Sequence, residues 1–323
     1  MRITHGVMVS GFLGDMNTNL NSLNKIQKQL NTGKEFSKPS DDPFKVARSM
    51  QMYSEINANK QYNTNIKDTI NWMDTTDTAL NNGTKCLQRI RELMVSAGNA
   101  TYGSSELTAI KEEINERVAE FGQILNTSFD GKYIFGGKDG ASKPVEVNLD
   151  GVTGENSISI SGNEDIINKS LKVEISSGVT VDYNVNAVEV LKFKDKDGNG
   201  NVVDGAGVPT GEMDVMKFFD DLLNNLSDVN GKSKVVGENL DQIDKVIDNM
   251  LSVSAKVGTV QNRMESAKEL NTAQNENLTE ILSGNEDIDF MEKSMEMAVA
   301  RTIYVASLQT SSKVLQPSIL DFL

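Results

Sequence analysis

The sequence predicts a mainly α protein with a small inserted β domain, an elongated multi-helix rod of paired N- and C-terminal helices. Three observations carry this. The five prolines (Pro39, Pro43, Pro144, Pro209 and Pro317) leave residues 44–143 and 210–316 free of proline, and a proline inside a helix costs ~3 kcal/mol. Nine of the 25 glycines fall in residues 138–210, the only segment with strand-like alternation. On both sides of it, apolar residues recur at three- and four-residue steps, the period of a helix face.

The first predicted helix covers residues 12–31. Leu13, Met16, Leu20, Leu23 and Leu30 form its apolar seam, with Gln27 at the missing position. Asn31-Thr32-Gly33 ends it, glycine being a natural C′ residue. Asp42 followed by Pro43 is an N-cap and first-position pair, so a second helix starts there and runs to about Ala100. Its seam is Met52, Ile56, Ile66, Ile70, Met73, Leu80, Leu87 and Met94, interrupted by Asn59, Asn63, Asp77, Thr84 and Arg91. So many polar seam positions call for more than one packing neighbour. Leu107, Ile110, Ile114, Val118, Phe121 and Leu125 give a third helix, ending near Phe129-Asp130-Gly131.

Residues 145–149, 158–160, 171–175 and 179–185 alternate apolar and polar between Gly, Asn and Asp turns, predicting short antiparallel strands. Helix returns near residue 213. A long helix follows from about Lys234 to Ser283 with Leu240, Ile243, Val246, Ile247, Met250, Val257, Val260 and Met264 on one face, and Gly284-Asn285 breaks it. The last helix, about 286–315, carries Met291, Met295, Ala298, Val305, Leu308 and Leu315. The seams at the two chain ends bury little by themselves. Packing against other copies is their low-energy solution, which points to self-assembly.

Composition excludes several functions. With 32 basic and 46 acidic residues the net charge is −14, against nucleic-acid binding and against adhesion to anionic membranes. The charge is uneven: residues 1–60 hold 8 basic and 5 acidic residues, residues 138–285 hold 14 and 25. Cys86 is the sole cysteine and His5 the sole histidine. An intrachain disulfide, a thiolate metal cluster and most histidine-based catalytic sites are therefore out of reach. No apolar run reaches the ~18 residues of a membrane span. Residues 1–15 lack the apolar stretch of a cleaved signal, so the expectation is either a cytoplasmic protein or export by a route without one.

Asp195-Lys-Asp197-Gly-Asn199-Gly200 matches the first half of a calcium loop, but the twelfth position is Ala206 rather than Glu. A polar turn is the simpler reading and a weak Ca²⁺ site the alternative. Asp41 and Asp42 are explained by capping, and Trp72 and Cys86 by packing. Phosphate-loop and dinucleotide fingerprints are missing. The expectation is a non-enzyme with no cofactor.

Several motifs resemble those of the bacterial flagellin family, in the form carried by its hook-associated members. They are Met1-Arg2-Ile3-Thr4; Leu30-Asn-Thr-Gly-Lys34 followed by Pro39-Ser40-Asp41-Asp42-Pro43; Gly131-Lys-Tyr-Ile-Phe-Gly-Gly137; Asp287-Ile-Asp289; Ala306-Ser-Leu-Gln309; and the ending Ser318-Ile-Leu320-Asp321-Phe322-Leu323. Together they span roughly the first 137 and last 90 residues. The resemblance implies an inner tube built from 1–40 and 286–323, a helical rod from 41–137 and 211–285, and a variable β-rich outer domain at 138–210. It also implies a structural adaptor joining hook to filament outside the cell, exported through the flagellar type III apparatus. The partners implied are further copies of itself, the first hook-associated junction protein, flagellin and an export chaperone. The alternatives are a filament subunit of the same family and a cytoplasmic coiled-coil adaptor.

Overall fold

A computed structural model describes residues 5–98, 103–149, 151, 154–194, 212–227 and 232–314. In chain order the elements are α1 (His5–Thr32), α2 (Pro43–Ala97), α3 (Ser104–Leu125), β1 (Ser128–Phe129), β2 (Lys132–Tyr133), a 3₁₀ turn at Ile134–Gly136, β3 (Val145–Leu149), β4 (Asn156–Ile160), α4 (Glu164–Ile167), β5 (Lys172–Ser176), β6 (Val179–Asp182), α5 (Ala187–Leu191), β7 (Lys192–Lys194), β8 (Glu212–Asp214), α6 (Val215–Ser227), α7 (Lys232–Val236), α8 (Glu238–Glu286) and α9 (Phe290–Val314). The chain divides into two compact units, residues 1–60 with 273–323 and residues 61–272.

The larger unit holds one continuous apolar core. Ile66, Met73, Leu80, Leu87 and Met94 of α2 meet Ile114, Val118 and Phe121 of α3, Phe219 and Leu222 of α6, and Ile243, Met250 and Met264 of α8. The same core takes in Val145, Ile158, Ile167, Ile175 and Val181, so the strand segment shares the helices' interior. Phe121 and Phe219 meet edge to face at 5.8 Å. Polar interruptions of the α2 seam find partners across α8. Arg91 pairs with Asp244 at 2.5 Å, Asp77 accepts from Ser254 at 2.9 Å, and Asn63 reaches Thr272 at 3.5 Å. Both α3 and α8 therefore pack along α2, the more than one neighbour that its polar seam positions require. Trp72 and Cys86 are buried packing residues. Trp72 meets Phe129 and Tyr183 edge-on at 6.0 and 6.1 Å, and burial pushes the Cys86 thiol up to about 12.

Among the described residues the strands form four separate two-stranded antiparallel hairpins, β1–β2, β3–β4, β5–β6 and β7–β8, rather than one sheet. Asp130 (φ 50°) and Gly131 (φ 74°) make the tight turn between Phe129 and Lys132, the two-residue loop that favours Asp-Gly. The Gly131–Gly137 motif is thus a hairpin and a 3₁₀ turn, not the end of the third helix. Asn126, just beyond α3, donates to the Val145 carbonyl at 2.8 Å and accepts from its amide at 3.2 Å, tying β3 to the helix end.

α3 ends at Leu125, ahead of the expected Phe129-Asp130-Gly131, and three further helix boundaries differ from expectation. α1 starts at His5 and runs through Gly6, Gly11 and Gly14. The long C-terminal helix is divided at Gly237, into α7 and α8. It then continues through Gly284-Asn285, where the Asn285 side-chain Nδ2 donates to the Lys45 carbonyl at 3.0 Å and to the Ser49 hydroxyl at 2.9 Å. The break falls instead before Asp289, whose carboxylate caps α9 by accepting from the Met291 and Glu292 amides at 2.8 and 3.2 Å.

Candidate functional site

In the smaller unit, α1 packs along α9. The half-buried row of α1 is Val9, Phe12, Met16, Asn19, Leu23, Ile26 and Leu30, an unbroken 3,4 spacing. On α9 the half-buried row is Met297, Ala300, Tyr304, Ser307 and Ser311. The predicted seam therefore splits. Met16, Leu23 and Leu30 lie on the face turned to α9, whereas Leu13 and Leu20 are 45% and 38% exposed on its flank. Gln27 is exposed, and Ile26 takes the seam position assigned to it. On α9, Met291, Met295, Ala298, Val305 and Leu308 are all exposed, Met291 at 75%. Phe290, Val299 and Ile303 extend this bare apolar surface. Val9, Phe12 and Tyr304 were missed as seam residues. For Val9 and Phe12 the signal was a strict heptad through Asn19, obscured by the three glycines of α1.

Behind the two helices lies a clasp. The Glu35 amide donates to the Glu286 carbonyl at 2.7 Å, and the Ile288 amide donates to the Gly33 carbonyl at 3.2 Å. Gly33 turns at φ 70° to allow this. The Lys34 ammonium sits 2.8 Å from Asp287 and 3.3 Å from Glu286. α1 enters this bridge and α9 leaves it, so the two helices pack antiparallel. The hydrogen bond to Asp287 holds Lys34 above its ordinary pKa. Lys34, followed by Ser283, holds Asp287 below the carboxylate range.

The Pro39–Pro43 block closes the turn between α1 and α2. Pro39, Ser40 and Asp41 are exposed, and Asp41 accepts from the Ser37 and Lys38 amides at 3.1 and 3.0 Å, which lowers its pKa. Asp42 caps α2 by accepting from the Phe44 and Lys45 amides at 3.1 and 3.0 Å, and Pro43 is the first helical residue. Capping thus holds for Asp42, whereas Asp41 ties the turn ahead of the helix instead of capping it. Asp195, Asp197, Asn199, Leu315, Leu320, Asp321, Phe322 and Leu323 lie outside the described residues. Among the described residues no cluster of three or more His, Cys, Asp or Glu could hold a metal ion, and no helix is long and apolar enough to cross a membrane.

The acid response of this unit follows from two lowered carboxylates. A depressed folded pKa stabilises above the unfolded value and is lost as pH falls through the folded one. Asp41 and Asp287 therefore support the turn and clasp above 3.8 and release them at lower pH. Lys34, raised above 10.5, keeps its contribution throughout the neutral range. Protection of the Glu35 and Ile288 amides, corrected for intrinsic exchange, should be flat from about pH 5 to 9 and fall below the carboxylate range. Asp287→Asn should flatten much of that acid limb; an unchanged limb would contradict the assignment.

Among the described residues, α1 and α9 thus leave apolar helix faces bare. The family model for the bacterial flagellin N-terminal helical region matches residues 3–139, and that for the C-terminal helical region matches residues 240–323. A flagellin of Bacillus subtilis is 28% identical over 314 residues, 95% of this chain and 94% of that protein. A flagellar hook-associated protein from Vibrio parahaemolyticus shares the fold at a TM-score of 0.61 and 18% identity, covering 76% of this chain and all of that one. Flagellar hook associated protein-3 from Legionella pneumophila does so at 0.59 and 16%, covering 73% and 98%. With the models of the family's N-terminal and C-terminal helical regions matching its two ends, the chain belongs to the bacterial flagellin family.

Proposed function

We propose that this chain is a hook–filament junction subunit, a structural adaptor that assembles outside the cell through its terminal helices. The observation that carries the reading is the bare apolar face of α9, from Met291 to Leu308, flanked by Leu13 and Leu20 on α1. An apolar surface of this extent is an association site, and its burial supplies ~25 cal/mol per Å². The same face repeats in every copy, so it closes on further copies into a ring or tube, with 1–40 and 286–323 innermost. The capped Pro39–Pro43 block and the solved hook-associated folds support the junction role over the filament role. The partners on this reading are the first hook-associated junction protein on one side and flagellin on the other. A chaperone and the type III route deliver the subunit. The second reading, a filament subunit, is favoured by the B. subtilis flagellin that matches along nearly the whole chain.

Immunogold labelling of sheared flagella with an antibody to residues 138–210 separates the two. The junction reading expects a narrow band between hook and filament. Label along the filament makes the chain a flagellin, and antigen confined to the cytosol removes both.

A further inference from the structure

In the smaller unit a groove of about 320 Å³ lies between the last turns of α1 and the α1–α2 turn. Its charged lining is Lys25, Lys28, Lys34, Lys38, Glu35 and Asp41. Lys34 is committed to Asp287 and Glu286. Lys25, Lys28 and Lys38 are exposed, and no ion pair joins them to a carboxylate among the described residues. The two carboxylates that line it are already engaged: Glu35 pairs with Lys45 at 2.5 Å, and Asp41 Oδ2 accepts from the Ser37 and Lys38 backbone amides. The groove therefore carries an excess of positive charge in a strongly acidic protein.

The opposite imbalance sits on α3. A shallow surface there is lined by Glu112, Glu113, Glu116 and Glu120 with Arg117. Glu113 is paired with Arg89 and Glu120 with Arg117. Glu112 and Glu116 are exposed and have no ion-pair partner among the described residues. Like charges at i,i+4 cost a few tenths of a kcal/mol in an isolated helix, and Glu112 and Glu116 stand so on α3. Lys25 and Lys28 stand i,i+3 on α1. Both spacings put the charged stems about 5–6 Å apart on their helices, so two lysines can meet two glutamates in one docking.

We infer that the lysine groove at the α1–α2 turn receives the Glu112–Glu116 face of α3 from a second copy of this chain. The inference rests on the self-association reading above and adds to it a polar contact that sets register. The bare apolar faces supply affinity without direction, whereas opposite charge pairs suppress misaligned docking. Each subunit presents both groove and acidic face, so the contact is head-to-tail and propagates around or along an assembly.

The test uses the full chain, as an equal mixture of ¹⁴N- and ¹⁵N-labelled protein at assembling concentration, coupled with a zero-length carbodiimide. Isopeptides between Lys25 or Lys28 and Glu112 or Glu116 that carry both isotopes are expected. Lys25→Glu with Lys28→Glu should weaken association about tenfold, and adding Glu112→Lys with Glu116→Lys should restore it. All four positions are exposed, and circular dichroism checks that each variant folds. Assembly without these mixed links, links from the groove to another acidic segment, or failure of the four-fold swap to restore association overturns the inference and leaves the self-association reading standing. A folded chain that stays monomeric at every concentration overturns both. Salt-sensitive binding of a control DNA duplex in place of self-links would assign the groove to nucleic acid and overturn the inference as well.

Discussion

Leu308→Asp is expected to abolish self-association while leaving residues 61–272 folded. Leu308 is 43% exposed on the bare face of α9 and belongs to neither core cluster. In the free chain the new carboxylate stays in water and costs little. In an assembly that closes over this face, burial of a leucine is lost, about 1.5–3 kcal/mol. An unpaired carboxylate must also be desolvated, an effective penalty of several kcal/mol. Together these exceed ~4 kcal/mol per contact, or roughly a thousandfold in association. Sedimentation velocity reads the loss, and the thermal transition reads the preserved core. Tyr304→Asp is the informative contrast. Tyr304 lies on the row facing α1, so its loss should loosen the α1–α9 pair before any assembly is asked for. Normal assembly of Leu308→Asp would remove the bare face as the association surface.

Gly137→Ala should be the most damaging single methyl in the chain's larger unit. Gly137 has φ 59°, and an added Cβ would lie 1.8 Å from the Ile167 carbonyl oxygen. The obstacle is backbone at the end of α4, and Ile167 is itself buried in the core, so neither partner can retreat. Strain and clash together should cost above ~3 kcal/mol. Two other glycines calibrate this. Gly131 also has positive φ, at 74°, but faces open space, so Gly131→Ala should cost only ~1 kcal/mol. At Gly83, inside α2, the Cβ would clash with the terminal methyl of Met250 at 2.4 Å and touch the Phe121 ring at 3.4 Å. That flexible side chain can swing away, and helix propensity returns up to ~1 kcal/mol, so the net effect is small. Urea denaturation of the three variants gives the order. A Gly137→Ala protein as stable as Gly131→Ala would mean the α4 contact is not held.

Much of the helical frame was legible because its signals are local. Every seam residue expected along α2 is buried or half-buried, from Met52 to Met94, and the same holds on α8 from Leu240 to Met264. A helix of 3.6 residues per turn leaves its period in the chain whatever packs against it. Asp42 and Pro43 likewise marked the start of α2, since a cap is satisfied within three residues.

Other features depended on partners distant in the chain. Gly284 and Asn285 read as a break, yet the helix passes through them, and Lys45 and Ser49, some 240 positions earlier, receive the Asn285 side-chain Nδ2. The clasp joins Gly33–Glu35 to Glu286–Ile288, a pairing that no local pattern announces. Most telling is the terminal seam. Apolar residues cover more than one face of α1 and α9, and periodicity alone merged those faces into one. Sequence determined that both ends are amphipathic helices in need of partners. Only the tertiary structure decided which residues serve the chain's own pairing and which stay bare. A helix face is defined by its neighbour: Met297, Ala300, Tyr304, Ser307 and Ser311 of α9 are turned to α1, while Met291, Met295, Val299, Ile303, Val305 and Leu308 stay exposed among the described residues.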